Sequence, residues 1–178
     1  MIRWIGAIFV VFATSYAGYE YSQNLQKRIQ QLNGLKKIFT DLYSDVEYGA
    51  CTLLESFSRI GERQENLYRD FLQRVCSGMK KDEDSTEKNG IPFHLIFSEA
   101  ITAQLSESAL TESDKKSLIQ LGKQLGNNQR NGQLRILQLY LQELEQEIGE
   151  LEKTKQEKQK IGRMLGVSSG VLIVILLL

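Results

Sequence analysis

The chain is expected to be all-α: an antiparallel helical bundle flanked by an N-terminal and a C-terminal transmembrane helix. Three observations carry this. Apolar residues recur at steps of three and four through the middle of the chain, which is the helical period. The sequence holds one proline in 178 residues, far below the roughly 5% of an average protein, so little interrupts a helix. And the two ends are apolar while the middle is polar: neither Trp4–Tyr19 nor Met164–Leu178 contains an Asp, Glu, Lys or Arg.

A bilayer core needs about 20 mostly apolar helical residues. Each end approaches that length once Arg3 and Arg163 extend their side chains to the interface. The chain therefore divides into a first span over 1–21, a helical domain over 22–160 and a second span over 161–178. Lys and Arg beside a span stay on the cytoplasmic side. Lys27, Arg28, Lys36 and Lys37 follow the first span, and Lys153, Lys155, Lys158, Lys160 and Arg163 precede the second. Only Arg3 lies beyond them. The central domain is expected in the cytoplasm. The rival reading takes Ser15-Tyr16-Ala17 as the end of a cleaved signal peptide, which would place the cations of the second span on the translocated face.

The first span is expected to continue as helix to Leu32, with Asn33-Gly34 as a left-handed cap. A second helix, Leu35–Ile60, carries Leu35, Ile38, Phe39, Leu42, Val46, Gly49, Leu53, Phe57 and Ile60 on one stripe, and Gly61 ends it. A third, Glu65–Lys80, carries Leu67, Tyr68, Phe71, Leu72, Val75, Cys76 and Met79. The run Lys80–Asn89 (KKDEDSTEKN) reads as a charged linker. Pro92 suits the first position of a fourth helix, ending near Leu105. Thr111 with Asp114 approximates a capping box for a fifth, Glu112–Leu125, broken at Gly126-Asn127-Asn128. The last helix starts near Gln129 and shows Leu134, Leu137, Leu141, Leu144, Ile148 and Leu151. It is expected to run on into the second span, over about 50 residues and about 75 Å. The bundle should bury Phe39, Leu42, Val46, Leu53, Phe71, Val75, Leu137 and Leu144. Cys51 and Cys76 fit two buried, reduced thiols on the faces of different helices.

Chemistry is sparse. Gly122-Lys123 lacks the upstream glycine and the following Ser/Thr of a phosphate-binding loop. The one histidine, His94, has no nucleophile or metal ligand at a useful spacing. A formal net charge of zero gives no footprint for nucleic acid. No catalytic, cofactor-binding or metal-binding residue is expected, and no cofactor. The glycines carry more. Gly122 and Gly126 lie one turn apart, so another backbone can come close there, and Gly126 suits a left-handed turn. Gly49, inside the long stripe, marks close helix packing. Gly162, Gly166 and Gly170 form a flat groove for another transmembrane helix. The two spans of one chain can fill each other's grooves, so a homo-oligomer is compatible with the pattern but does not follow from it. The sign alternation from Glu143 to Lys160 reads as a solvated face or as a coiled-coil contact.

Three segments resemble a known family. They are Leu121-Gly122-Lys123-Gln124-Leu125-Gly126 followed by Gln133, Asp45-Val46-Glu47-Tyr48-Gly49 followed by Leu53, Leu54 and Phe57, and Gly162-Arg163-Met164 opening a Gly- and Leu-rich run. The chain resembles the stage III sporulation protein AB family over nearly its whole length. That family is similar in turn to the cytoplasmic domains of the inner-membrane platform protein of type II secretion and type IV pilus machines. The resemblance implies a membrane-anchored, non-enzymatic scaffold in a sporulation-specific, secretion-like complex. It would sit in the mother-cell membrane around the forespore and couple a cytoplasmic secretion-type ATPase to the other membrane subunits. The alternative is a tethered coiled-coil interaction protein with no ATPase link. Docking is expected at the linker Lys80–Asn89 and at the turns at Gly61 and Gly126–Asn128.

Overall fold

The computed structural model describes the backbone of residues 2–49, 51–64, 67–84, 91–127 and 129–177. It describes side chains within 23–161, except at 50, 65–66, 83–90, 127–128 and 159. Among the described residues there are six helices and no strand: α1 (Ile2–Tyr48), α2 (Leu53–Glu62), α3 (Leu67–Asp84), α4 (Phe93–Gln104), α5 (Glu112–Asn127) and α6 (Arg130–Leu177). They form two compact units. One is Gln30–Glu145; the other joins Met1–Ile29 with Gln146–Leu178.

In the Gln30–Glu145 unit, side-chain contacts give the helix directions. Phe39 on α1 meets Tyr140 on α6 edge-on at 5.2 Å, and Lys36 pairs with Glu145 at 2.7 Å. Rising numbers on α1 meet falling numbers on α6, so the two are antiparallel. Arg74 of α3 pairs with Glu99 of α4 at 2.9 Å, Gly78 of α3 faces Ile96 of α4, and Gly122 and Gly126 of α5 face Phe97 and Phe93 of α4. These neighbours are antiparallel too. The centre is aromatic: Phe97 lies 5.4 Å from Phe71 and from Phe93, and 6.3 Å from Phe57. Phe39, Leu42, Val46, Phe71, Val75, Leu137 and Leu144 are buried. Leu53, expected beside them, is half-buried because it opens α2 at the rim. In the other unit, Leu25, Ile29 and Ile148 are buried, and Arg28 donates to Glu147 Oε1 at 2.6 Å.

Several expected boundaries move. No cap interrupts Asn33-Gly34, and α1 runs through both to Tyr48. Gly34 is there for space: a Cβ would lie 2.5 Å from Cε2 of Tyr68, whose hydroxyl donates to the Gln31 carbonyl at 2.6 Å. The break comes instead inside the expected Leu35–Ile60 helix. Gly49 has φ +65°, a conformation that costs an L-residue about 1–2 kcal/mol. Its N–H bonds to the carbonyls of Asp45 and Val46 at 3.1 and 3.2 Å. Gly49 therefore ends α1 rather than packing within a helix.

A new helix then starts on a capping box at Thr52. The Glu55 N–H donates to Thr52 Oγ1 at 3.3 Å, and the Thr52 N–H donates to Glu55 Oε2 at 2.8 Å. Gly61 does not end α2 but lies inside it, buried against Leu72. α3 continues past Lys80 to Asp84, so the first part of the expected linker is helix. Pro92 precedes α4 as its N-cap, one residue before the expected place. Gly126 is helical within α5 rather than left-handed.

Other expectations hold. Thr111 and Asp114 make the reciprocal cap of α5, at 2.8 and 3.2 Å. The last helix is one unbroken element of 48 residues. Both cysteines are free; Cys76 is buried on α3, while Cys51 lies half-buried in the α1–α2 connection rather than on a helix. Among the described residues no helix is long and apolar enough to cross a membrane. The expected spans, 1–21 and 161–178, fall almost wholly outside the described side chains. So does the packing of Gly162, Gly166 and Gly170, which lie in the backbone of α6.

Candidate functional site

The antiparallel order gathers the end of α1, the start of α2, the start of α4, the end of α5 and the start of α6 at one end of the Gln30–Glu145 unit. Two sequence-distant segments meet there, Asp45–Gly49 and Leu121–Gln133. Arg130, the first residue of α6, joins them. Its Nε donates to the Val46 carbonyl at 2.8 Å, and its Nη2 donates to the Glu47 carbonyl. Its guanidinium covers Gly49, where a Cβ would sit 3.0 Å from Cζ. The last carbonyls of a helix have no partner within it, and they form the negative end of its dipole. A planar cation with several donors answers both needs. One turn further on, Gln133 Nε2 donates to the Leu125 carbonyl at 3.0 Å and ties the end of α5 in the same way.

A second arginine also grips the last turns of α1. Arg59 of α2 pairs with the Asp45 carboxylate. That hydrogen bond, and then the charge of Asp45, raises the pKa of the guanidinium further. Beneath this surface Leu121 and Leu125 are buried. The Phe97 ring lies over Gly122, where a Cβ would be 2.4 Å from Cδ1, and Phe93 lies over Gly126, with 3.0 Å to its Cβ. The glycine pair thus admits two aromatic side chains of α4, not another backbone. On the outside, Glu47, Tyr48 and Gly49 are exposed, and Tyr48 keeps 81% of its surface in solvent.

Among the described residues, no three His, Cys, Asp or Glu side chains gather where they could hold a metal ion. His94 is half-buried in the first turn of α4. The raised pKa values of Tyr68, Tyr140 and Cys76 come first from burial, which disfavours the charged form. An open groove of about 380 Å³ between α5 and α6 is lined by Lys116, Gln120, Gln124, Leu139 and Glu143. Another of about 660 Å³ separates α3 from α4. What the arrangement offers is a fixed helix end, one exposed ring and scattered charges.

A model of the stage III sporulation protein AB family matches residues 3–178. This chain belongs to that family. The stage III sporulation protein AB of Bacillus subtilis (strain 168) is 24% identical over 178 residues, the whole of both chains. A solved structure of stage III sporulation protein AB (SpoIIIAB) aligns with a TM-score of 0.63 at 19% identity, over 74% of this chain and 98% of that one. At that identity the likeness is one of fold, the all-α architecture without strands.

In this member of the stage III sporulation protein AB family, the expected docking points separate. Gly61 is buried in the last turn of α2, and its carbonyl accepts the Gln64 N–H at 3.2 Å in the turn that follows. Gly126 is at the surface where the motif segments meet. Lys80 and Lys81 are exposed on the last turns of α3; residues 85–89 of the expected linker lie outside the described residues. Sequence reasoning missed Arg130, Arg59 and the Thr52 cap. The cap had a readable signal, Thr52-x-x-Glu55. The arginines had none, because each acts on a helix remote in sequence.

Proposed function

We propose that this chain is a membrane-anchored, non-enzymatic scaffold of a sporulation-specific, secretion-like complex. It couples a cytoplasmic secretion-type ATPase to the membrane subunits of the same assembly. One observation carries the reading. The end where Asp45–Gly49 and Leu121–Gln133 meet includes the last turn of α1 and the first turn of α6. Those same helices run unbroken into the uncharged stretches Trp4–Tyr19 and Met164–Leu178. A partner bound at that end would therefore contact the two helices whose backbone continues into the apolar runs. The cations after the first run and before the second support a domain on the mother-cell cytoplasmic side. Gly162, Gly166 and Gly170 supply a small-residue face for packing within or between chains.

The test uses the full chain in lipid nanodiscs and a purified secretion-type ATPase, with and without nucleotide. Binding that depends on the folded domain and on the nucleotide state supports the coupling role. Absence of binding under every nucleotide condition removes the ATPase from the proposal and leaves the tethered coiled-coil reading.

A further inference from the structure

We infer that the lysine-rich part of α6 is a collar that binds the anionic phospholipid headgroups of the leaflet facing the bundle. The charges of this helix are segregated rather than alternating. Glu143, Glu145, Glu147, Glu150 and Glu152 come first, with no base among them. Lys153, Lys155, Lys158, Lys160 and Arg163 follow, with the single acid Glu157. The two halves fare differently within the chain. The acidic half meets bases of α1: Glu147 pairs with Arg28 at 2.6 Å and Glu145 with Lys36 at 2.7 Å. The basic half has no such match. α1 before Gln23 holds one acid, Glu20, and Lys153, Lys155 and Lys160 form no ion pair among the described residues. A formal charge of zero for the whole chain therefore conceals a local excess of positive charge that the fold leaves unmatched.

Geometry selects a partner that surrounds the helix. At about 100° per residue, Lys153 and Lys160 share one side of α6 and Lys155 lies on the far side. Lys155 continues the row Leu144, Ile148 and Leu151, so a half-buried lysine stands where that row would place another apolar residue. A partner helix touches one side only, whereas a headgroup layer reaches every side. Length agrees. Lys153 to Arg163 covers about 15 Å at roughly 1.5 Å per residue. That matches a headgroup layer of about 5–8 Å plus a Debye length of about 8 Å. Position agrees too. The uncharged run Met164–Leu178 begins at the next residue, and each base beside a span strengthens attraction to anionic lipid about fivefold. The inference rests on the membrane-anchored reading above and is independent of the ATPase.

The experiment reconstitutes the full chain in phosphatidylcholine bilayers. Electron spin resonance then compares the immobilisation of spin-labelled phosphatidylglycerol and spin-labelled phosphatidylcholine at the protein. Phosphatidylglycerol is expected to be preferred at least about fivefold. The preference should fall as salt rises from about 0.01 to 1 M, where the Debye length shrinks from about 30 to 3 Å. Lys153→Gln with Lys155→Gln and Lys160→Gln should remove most of it, and the same three changed to Arg should keep it. The exposed pair alone, Lys153→Gln with Lys160→Gln, should lower it without changing the melt. Lys80→Gln with Lys81→Gln and Lys123→Gln, exposed lysines on α3 and α5, should leave it as it is. No preference in the parent, or one untouched by the collar variants or lowered equally by the control, overturns the inference. So does displacement by glycerol phosphate beyond that of sodium chloride at equal ionic strength, which would mark a phosphate site and not a membrane surface. A triple Gln variant that keeps its lipid preference but no longer co-purifies with other membrane subunits would make the collar a protein contact, and overturns it as well. A chain that never enters the bilayer ends the anchored reading and the collar together; one that enters without lipid preference ends the collar alone.

Discussion

Gly34 and Tyr68 show how one contact outweighs helix propensity. Replacing a helical glycine with alanine ordinarily stabilises by about 0.5–1 kcal/mol. At Gly34 the added Cβ would stand 2.5 Å from a ring that is buried and hydrogen-bonded at its hydroxyl, so the ring cannot easily yield. Overpacking of this kind costs about 1–3 kcal/mol. Gly34→Ala should therefore destabilise, while Gly149→Ala, with nothing within 4 Å, should stabilise. Urea melts of the two variants should shift in opposite directions. The buried phenols make a second prediction. Burial raises Tyr68 and Tyr140 above the ordinary value of about 10. A raised folded pKa contributes stability that is complete below pH about 10. That stability is lost at higher pH, where the unfolded chain releases protons the folded one retains. The free energy of unfolding should fall between about pH 10 and 11, and the Tyr68→Phe, Tyr140→Phe double variant should show a shallower fall.

The boundary between α1 and α2 is set by devices at the two helix ends. α1 stops where a left-handed glycine and an arginine from α6 coincide, and α2 restarts three residues later on its own capping box. These devices are independent, so their losses should add. Thr52→Ala removes the cap and is expected to cost about 1 kcal/mol. Gly49→Ala forces a Cβ into the left-handed region and against Arg130, and is expected to cost about 1–2 kcal/mol. The double variant should lose close to the sum of the two. A loss much smaller than that sum would mean that the α1–α2 break is already loose in the parent.

At the scale of the whole molecule the prediction concerns sidedness. The proposal of a cytoplasmic bundle rests on Lys27, Arg28, Lys36 and Lys37 after the first apolar run and Lys153 to Arg163 before the second. A Lys81→Cys chain, with Cys51→Ser and Cys76→Ala to remove the native thiols, reports on this directly, because Lys81 is exposed. An impermeant maleimide should leave it unlabelled in intact cells and label it after permeabilisation. Labelling in intact cells would reverse the topology and withdraw the cytoplasmic ATPase with it.

Period and punctuation were legible in the residues alone. The apolar stripes identified the helical class and rightly placed inside all of the eight named core residues except Leu53, because a 3.6-residue repeat is a property of neighbours in sequence. The Thr111–Asp114 cap and the unbroken last helix were legible for the same reason. The meanings of the glycines were not. Gly34, Gly49, Gly61 and Gly126 look alike in a string of letters, yet three are helical and one is left-handed. The difference lies in what faces each: Tyr68, Arg130, Leu72 and Phe93, all well separated along the chain. The candidate site was half legible. Its residues drew notice as Glu47-Tyr48-Gly49 and Leu121–Gly126 with Gln133. That they share one end of a bundle, joined by Arg130, depends on how the helices pack. Local sequence sets where a helix forms. The burial of apolar faces against partners far along the chain sets where it ends, and which side chains are left in solvent.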